Sequence, residues 1–382
     1  MDFELTATQQ AVADVVTAVL DRHLDPATMG AVSWPEQQPG KLDPVWITLV
    51  QGGITALPIP ERLGGDGVGI PEVGTVLTEV GRYGAVTPAL ATLGLGVVPL
   101  LVLASTEQQD RHLAGVTTGG LLTAALNEPG SALPDRPVTS FVNGRLSGIK
   151  VGVMYAEQAN WMLVTTDCAV VLVAPGADGV QLTKTPTSSR SDEYTVEFTE
   201  VEIADSDILV GAVAHRVNQL ALAMMGACAN GLVAGALRLT ANYVANRRQF
   251  GKPLSTFQTV AAQLAEVYIV SCTIDLVTKS VIWHLAEGGE TDPQTDRDLD
   301  VLGYWIASQA PSAMQICHHL HGGIGMDIAY PMHRYYSTIK DLTRLLGGPS
   351  HRLDLVSIAS MAKSVAAGRH PDNSAGAQCS LN

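Results

Sequence analysis

The chain has 382 residues, of which 46% are hydrophobic and 16% are charged, and its formal net charge at pH 7 is −14. This length predicts two or three packed units, and the acidic balance argues against a nucleic-acid-binding protein, which would normally display a basic stripe. The low charged fraction predicts extensive contact between subunits. No basic segment followed by an apolar stretch opens the chain and the five cysteines form no CxxC pair, so we expect a cytoplasmic protein with reduced thiols and no membrane span.

Residues 1–120 are predicted to form an N-terminal helical domain. The stretch "TATQQAVADVVTAVLDRHL" has helical apolar spacing with a threonine near its start to cap it. In "STEQQDRHLAGV", Ser105 is followed three residues later by Gln108, which is the spacing of a capping box. A Pro/Gly-rich segment, "LPIPERLGGDGVGIP", separates these helices and predicts a turn region.

Residues 121–208 are predicted to form a middle antiparallel β-domain. Short β-rich runs such as "NWMLVTTDCAVVLVAP" and "EYTVEFTEVEI" are separated by Gly, Asp and Pro. The Asn-Gly pair in "VNGR" is typical of a tight hairpin turn.

Residues 209–365 are predicted to form a C-terminal four-helix bundle, followed by a disordered tail at 366–382. One helix is predicted in "FQTVAAQLAEVYIVSCTIDLVTKSVIWHLAEGG", with Gly288 and Gly289 ending it. The next begins near three acids that suit the dipole of a helix start, with a metal site as the weaker interpretation: Asp296, Asp298 and Asp300. The overall prediction is an α+β fold. Because no GxGxxG follows a strand and no Walker-type loop occurs, the usual nucleotide folds lack support.

Two motifs in the C-terminal region carry candidate binding residues. In "RRQFGKPLSTFQ", Arg247 offers a planar fork suited to pyrophosphate oxygens, three residues before a Phe250-Gly251 turn. Gln258 begins the next helix and offers an amide donor and acceptor.

The second motif, "HLHGGIG", places Gly322 and Gly323 past a helix end, where bare backbone can approach a ligand. The histidines His318, His319 and His321 could be read as a metal site, but a capped helix end with a ligand-facing loop is the better interpretation. Either motif alone is a weak signal, because arginines before turns and helix C-caps are common.

Taken in order, the motifs of the chain are similar to those of the acyl-CoA dehydrogenase family over nearly its whole length. The segments that resemble the family are "MDFELTATQQ", "LPIPERLGGDGVG", "STEQQDRHLAGVTTGG", "LNEPGS", "LSGIKVGVMYAEQANWMLV", "RRQFGKPLSTFQ" and "HGGIGMDIAYPMHR". The resemblance implies an acyl-CoA dehydrogenase-like fold and an oxidoreductase that desaturates acyl-CoA thioesters with FAD. It also implies that the first motif and the second motif's loop bind the ADP half of a neighbouring subunit's FAD.

The cofactor-binding residues that this resemblance implies are Arg247, Phe250, Gln258, His319, Gly322 and Gly323. One of them departs from the family pattern, because His319 stands where the family usually has glutamine three residues before the glycine pair. A neutral imidazole can still donate one hydrogen bond, so the role can survive the change.

The catalytic base of the family has no counterpart, and no catalytic residue is assigned. The family supplies a glutamate from a loop after the second motif, where this chain has Leu346 or Gly347, or from a helix 29 residues before Phe250, where it has Ala221. The nearest alternatives, His351 and Asp341, do not lie at the expected offset.

The strands that face the flavin in the family are altered as well. Gly152, Val153 and Met154 replace its Trp-Ile-Thr run, and Asn127 replaces the threonine of its "TEP" loop. Groups that would serve a neighbour's flavin are kept, whereas groups for the chain's own chemistry are missing. The pattern resembles the non-catalytic subunit of actinobacterial heterotetrameric dehydrogenases that shorten steroid side chains.

The expected partners are an acyl-CoA thioester, a homologous glutamate-bearing subunit in an α2β2 complex and an electron-transfer flavoprotein. Two other functions remain open: a self-sufficient homo-oligomeric dehydrogenase with an unplaced base, His351 being one substitute, and a non-enzymatic thioester-binding or scaffold protein.

Overall fold

The computed structural model describes residues 3–23 and 44–367, in which helices are followed by strands and then by helices. This order confirms the predicted α+β fold class. The helices are α1 Ala7–His23, α2 Pro44–Gln51, α3 Ile70–Arg82, α4 Val98–Leu103, α5 Thr106–Leu113, α6 Ala214–Asn246, α7 Gln258–Ala286, α8 Pro293–Tyr304, α9 Ala310–His321, α10 Met332–Leu345 and α11 Gly348–Ala367. The strands are β1 Leu121–Ala125, β2 Ser140–Val142, β3 Arg145–Met154, β4 Ala159–Thr165, β5 Val170–Val173, β6 Val180–Lys184, β7 Glu193–Glu202, β8 Ile208–Leu209, β9 Arg248–Gln249 and β10 Lys252–Pro253.

Local sequence signals fix several of these boundaries. The Thr6 hydroxyl accepts from the backbone N–H of Gln9 and caps α1, and the Ser105–Gln108 capping box opens α5. Gly288 lies in the left-handed region just after α7. The helix expected near residue 293 is α8 continued through a π-helical turn, Trp305–Gln309, into α9. Of the predicted tail, residues 368–382 lie outside the described residues.

The strands form two four-stranded sheets and a small hairpin. One sheet has the order β2-β3-β7-β6 and is antiparallel throughout; its Asn143-Gly144 turn has positive φ at both positions, as the hairpin prediction requires. The other has the order β1-β4-β5-β8, and its β1–β4 pair is parallel. The prediction of a purely antiparallel domain was therefore wrong for this pair. Every residue of β1 is buried, as expected for a parallel strand covered on both faces.

Two hydrophobic cores hold the described residues together. One lies between the two sheets and includes Val164, Val196 and Phe198. The other runs without interruption through the N-terminal and C-terminal helices, so these two regions share one core. Their contact is close because α3 and α6 meet through glycines: a β-carbon on Gly231 would lie 2.0 Å from the carbonyl oxygen of Thr78.

Two helices, α6 and α7, are long and apolar enough to cross a membrane by length and composition alone. The most apolar part of α6 is 83% buried, which identifies α6 as the central helix of the shared core. The corresponding part of α7 is only 17% buried, so much of its apolar surface is not covered by the described chain.

Candidate functional site

The first binding motif forms an exposed hairpin between α6 and α7. Helix α6 ends at Asn246, and Arg247 follows in extended conformation with its side chain exposed. The hairpin turns at Phe250 and Gly251, which have φ angles of 51° and 81°. The Leu254 N–H donates to the Arg247 carbonyl over 2.8 Å and closes the loop. Among the described residues, the Arg247 guanidinium has no hydrogen-bond or ion-pair partner, so it is available to a ligand outside the chain.

The start of α7 is exposed beside this hairpin. Gln258 is its first residue, and the preceding Phe257 provides no side-chain cap, which leaves the N–H groups of the first turn free to meet an anion. Phe250 is 90% exposed, which is unusual for a phenylalanine, and its ring centroid lies 6.2 Å from that of Phe257. A guanidinium, an amide and a helix start thus face outward together, an arrangement that suits a diphosphate.

The second motif begins where α9 ends. Gly322 and Gly323 are exposed, and no other protein atom lies within 4 Å of the position that a side chain would take on either of them. His319 is also exposed, in the last turn of α9. The loop therefore offers bare backbone to the outside, as the sequence predicts.

The structure joins the two motifs through aromatic contacts that the sequence analysis missed. Tyr243, one turn before Arg247, stacks on the buried ring of His321, the residue before Gly322, at a centroid distance of 4.7 Å. Tyr330 also lies 5.1 Å from His321. Burial lowers the pKa of His321, and its Nδ1 lies 2.8 Å from the Cys317 carbonyl oxygen. His321 is thus a structural brace, and in residues 3–23 and 44–367 no group of His, Cys, Asp or Glu has metal-site geometry.

The flavin-facing part of the chain's own β-domain lies at a small cavity where α3, α6, α10 and β3 converge. Met154, Leu77 and Leu345 line it, together with Glu193 and Asp341. Its volume is about 50 Å³. This cavity is much smaller than pockets for drug-sized ligands, which usually measure roughly 300–1,000 Å³.

Hydrogen bonds between α10 and the β-domain fix the walls of this cavity. Asp341 accepts from the backbone N–H groups of Ser188 at 2.9 Å and Ser189 at 2.8 Å. Arg344, one turn later, forms an ion pair with the buried Glu193. Both carboxylates that line the cavity, those of Asp341 and Glu193, therefore already have partners within the protein.

The residues that replace the family's flavin contacts form part of the same closure. Asn127, in the position of the "TEP" threonine, donates its side-chain N–H to the Leu345 carbonyl over 2.8 Å. A β-carbon on Gly152 would lie 2.6 Å from the Leu345 side chain, so the missing tryptophan side chain has been replaced by leucine packing. The residues that depart from the family pattern thus pack against the C-terminal end of α10.

None of the positions considered for a base presents a free carboxylate. Leu346 and Ala221 are fully buried in the shared core, and Gly347 lies in the left-handed region against the ring of His351. The pKa of His351 is lowered, first by burial and then by the adjacent Arg352. Asp341 is bound to backbone N–H groups as described above, so it is not available to abstract a proton.

A buried ion pair stabilises the loop that contains Asn127. Lys150 on β3 is fully buried, with its ammonium 3.0 Å from the Glu128 carboxylate and 3.2 Å from the Thr165 hydroxyl. Burial lowers the pKa of Lys150 to about 8, against the opposing effect of Glu128. Glu128 also accepts from the Thr139 N–H and hydroxyl, so the pair ties the loop to the sandwich.

Comparison with known proteins agrees with this architecture. Residues 6–120 match the acyl-CoA dehydrogenase N-terminal domain, and residues 213–361 match the acyl-CoA dehydrogenase C-terminal domain. Acyl-CoA dehydrogenase FadE28 of Mycobacterium tuberculosis is 72% identical over 93% of this chain and 98% of its own length.

Two solved structures have the same fold at higher sequence divergence. A chain of the ChsE4–ChsE5 complex from Mycobacterium tuberculosis is 29% identical with a TM-score of 0.83, covering 97% of this chain and 100% of that one. A variant of the Tcur3481–Tcur3483 steroid ACAD is 29% identical with a TM-score of 0.82, covering 94% of this chain and 99% of that one. This chain therefore belongs to the acyl-CoA dehydrogenase family, FAD-dependent oxidoreductases that act on CH–CH groups.

Proposed function

We propose that this chain is the non-catalytic subunit of a heteromeric acyl-CoA dehydrogenase. It contributes ADP-side contacts to an FAD that is held mainly by a homologous partner, and that partner supplies the glutamate base. The observation that carries the proposal is a contrast between two regions. The residues that would meet a neighbour's cofactor are exposed, whereas the chain's own cavity beside Met154 measures only about 50 Å³ and is bounded by α10.

Each exposed residue has a defined role in this complex. Arg247 neutralises diphosphate oxygens, Gln258 and the first turn of α7 add N–H donors, and the backbone at Gly322 and Gly323 lets the ligand approach closely. Phe250 covers the cofactor with an apolar ring. The FAD itself supplies hydride acceptance, and proton abstraction belongs to the partner because the two positions at which the family carries its glutamate hold Ala221 and Leu346 or Gly347 in this chain.

The proposed substrate is an acyl-CoA thioester that carries a steroid side chain, and the proposed assembly is α2β2. Support comes from the solved neighbours, one described as a complex of two different chains and another as a steroid ACAD. An electron-transfer flavoprotein is the proposed acceptor of the electrons.

Co-expression with a glutamate-bearing homologue encoded nearby tests this function. We expect a yellow complex with one flavin for each pair of unlike chains, and we expect desaturation to be lost when the partner's glutamate is replaced. Flavin content, subunit stoichiometry and turnover are the measurements. The proposal fails if this polypeptide alone binds flavin and desaturates thioesters.

One observation favours a second function, a self-sufficient dehydrogenase. The Nε2 atom of His351 is buried and has no hydrogen-bond partner within the described part of the chain, as an imidazole base awaiting substrate would be. Turnover by the chain alone that disappears in His351→Ala but survives in Glu107→Ala, an exposed change on α5, would support it. If neither the isolated chain nor the complex shows flavin absorbance in the visible range, the result would instead support a flavin-free thioester-binding or scaffold protein.

A further inference from the structure

A second cavity lies between the N-terminal segment of the described chain and helices α3, α6 and α7. Its volume is about 330 Å³, which reaches the range of small-ligand pockets, roughly 300–1,000 Å³. None of its lining residues belongs to the two FAD-binding motifs or to the cavity beside Met154. We call it the α3–α7 cavity.

The α3–α7 cavity is elongated along the two helices that give it its name. Its lining extends from Glu72 to Arg82 on α3 and from Asp275 to Glu287 on α7. With a rise of about 1.5 Å per residue, these stretches span about 15 Å and about 18 Å. The shape therefore fits a long, narrow molecule.

One end of the cavity carries buried oxygen acceptors. Asn230 on α6 is 4% exposed and donates its side-chain N–H to Asp275 over 2.9 Å, and its carbonyl oxygen has no partner among the described residues. Thr278, one turn after Asp275, is 2% exposed, and within the described chain its hydroxyl has no hydrogen-bond partner. Buried polar groups normally have partners. An ammonium group, with three N–H donors, suits a carboxylate, an amide carbonyl and a hydroxyl together.

The other end of the cavity carries negative charge. Glu287 is exposed, and Glu72 accepts from the Gly69 N–H over 3.1 Å; in the part of the chain that the structure describes, neither carboxylate has a cationic partner. Ile282 and Trp283 form an apolar wall between the two ends. The face of an indole ring also attracts cations. The cavity thus has acceptors at both ends and apolar side chains between them.

The charges of the cavity favour a cation over an anion. Both basic side chains of its lining already have acidic partners: the Arg82 Nε lies 3.3 Å from Glu79, and the Lys279 ammonium lies 2.9 Å from Asp275. Burial raises the pKa of Glu79 even with Arg82 beside it, so a further cation nearby would stabilise its charged form.

We propose that the α3–α7 cavity binds a linear polyamine, a molecule with an ammonium group at each end and methylene groups between them. One ammonium takes the Asp275 carboxylate in place of Lys279. The other lies near Glu72 and Glu287, and the methylene groups pack on Trp283. The site goes beyond the proposed function, because it requires neither FAD nor the partner subunit.

Equilibrium dialysis of the purified protein with spermidine tests the site. Physiological ionic strength screens nonspecific attraction to a chain of net charge −14, and we expect one spermidine for each chain. Asp275→Asn should weaken binding roughly tenfold, and the more exposed Glu287→Gln roughly two- to fivefold. Glu107→Gln, the same change of charge at an exposed position on α5, is the matched control and should leave binding unchanged. Flavin content of the same samples should not change.

Lys279→Ala separates ligand binding from damage to the fold. This variant breaks the same ion pair as Asp275→Asn, so a purely structural effect would weaken spermidine binding in both. If the ligand replaces the lysine, Lys279→Ala frees the carboxylate and should tighten binding severalfold. Weaker binding in Lys279→Ala would overturn the proposal.

A second amine and an anion test the class of ligand. Butylamine has a single ammonium group and should bind roughly tenfold more weakly than spermidine, so equal affinities would overturn the two-ended site. Equal spermidine binding in Asp275→Asn and Glu107→Gln would also overturn it, because attraction to an acidic surface would then account for the binding. Binding of succinate that Lys279→Ala abolishes would assign an anionic occupant instead.

Discussion

At the residue scale, Arg247 combines a fixed backbone with an unoccupied side chain. Its backbone N–H and carbonyl are bound by Tyr243 and Leu254, at 2.8 Å each, so the residue stays in place without its guanidinium. A side chain that contributes nothing to its own fold can be removed with little loss of stability. This makes Arg247 a clean probe of cofactor binding.

We expect Arg247→Ala to lower the flavin content of the complex severalfold while the free energy of unfolding changes by less than about 0.5 kcal/mol. The physical reason is the loss of a bidentate contact to diphosphate oxygens. Flavin absorbance after gel filtration and urea unfolding measure the two quantities. Arg22→Ala, which replaces an exposed arginine on α1, is the matched control. Full flavin retention in Arg247→Ala would contradict the assigned role.

His215 at the start of α6 connects separate parts of the chain. Its Nδ1 lies 3.0 Å from Asp135 and its Nε2 lies 3.1 Å from Asp296 on α8. The hydrogen bond to Asp135 raises the pKa of His215 against the effect of burial, and Asp296 adds to the rise. Because the folded pKa lies above the unfolded one, protonated His215 stabilises the fold.

This contribution is fully present below the unfolded pKa of about 6.5 and is lost as pH rises through the raised folded pKa. We therefore expect the difference in unfolding free energy between the native chain and His215→Gln to be largest near pH 6 and to shrink toward pH 9. Urea unfolding across that range measures it. A difference that stays constant with pH would show that the histidine is not charged in the fold.

Residue types predict part of the site but not its internal contacts. The turn at Phe250 and Gly251 and the place of the glycine pair after a helix end match the prediction, because glycine and turn spacing act locally. The Tyr243–His321 stack joins residues far apart in the chain, so no short sequence pattern predicts this contact. Lys150 was missed for a similar reason, since a lysine in a sequence normally indicates surface and its burial depends on Glu128.

At the element scale, α10 is the helix that closes the cleft. Its last two turns carry Asp341, Arg344 and Leu345, and all three contact the β-domain. Asp341 alone serves two backbone N–H groups that would otherwise be left without a partner. Helix α10 therefore fixes the β-domain against the shared core.

We expect Asp341→Ala to lower the free energy of unfolding by about 2 kcal/mol, because the Ser188 and Ser189 N–H groups lose their acceptor. Asp341→Asn, which keeps one carbonyl oxygen, should cost less. Denaturant unfolding gives both values, and Asp354→Ala on the exposed side of α11 serves as the control. Equal stabilities in all three variants would mean that the carboxylate is not needed to close the cleft.

The parallel β1–β4 pair shows why elements are easier to predict than their pairing. Each strand is visible as a short β-rich run, but the register that joins Thr123 to Met162 is nonlocal. The chain leaves β1, builds β2 and β3 in the other sheet, and returns as β4. Turns and periodicity in the sequence therefore could not predict that β1 and β4 pair in parallel.

At the scale of the whole molecule, a position at which the family carries its catalytic glutamate is part of the packed core. Leu346 is not a surface residue from which a glutamate has merely disappeared, because it is fully buried in the shared core. Restoring a carboxylate there would place a charge in an apolar interior, which has a high desolvation cost.

We expect Leu346→Glu to destabilise the chain by about 3 kcal/mol or more without creating desaturase activity. Leu346→Met keeps volume and apolar character and should cost less than about 1.5 kcal/mol. Thermal unfolding and turnover of the isolated chain distinguish the outcomes. A stable, active Leu346→Glu chain would show that the cleft can open.

The core that α3 and α6 share also has a consequence for how the protein is made. The apolar side of α3 is covered by Ala227, Gly231 and their neighbours, which leave the ribosome about 150 residues after it. A nascent chain that has emerged only as far as the second sheet must therefore present this unfinished surface to the cell. We expect such intermediates to recruit chaperones until α6 arrives, since exposed apolar surface promotes aggregation during synthesis.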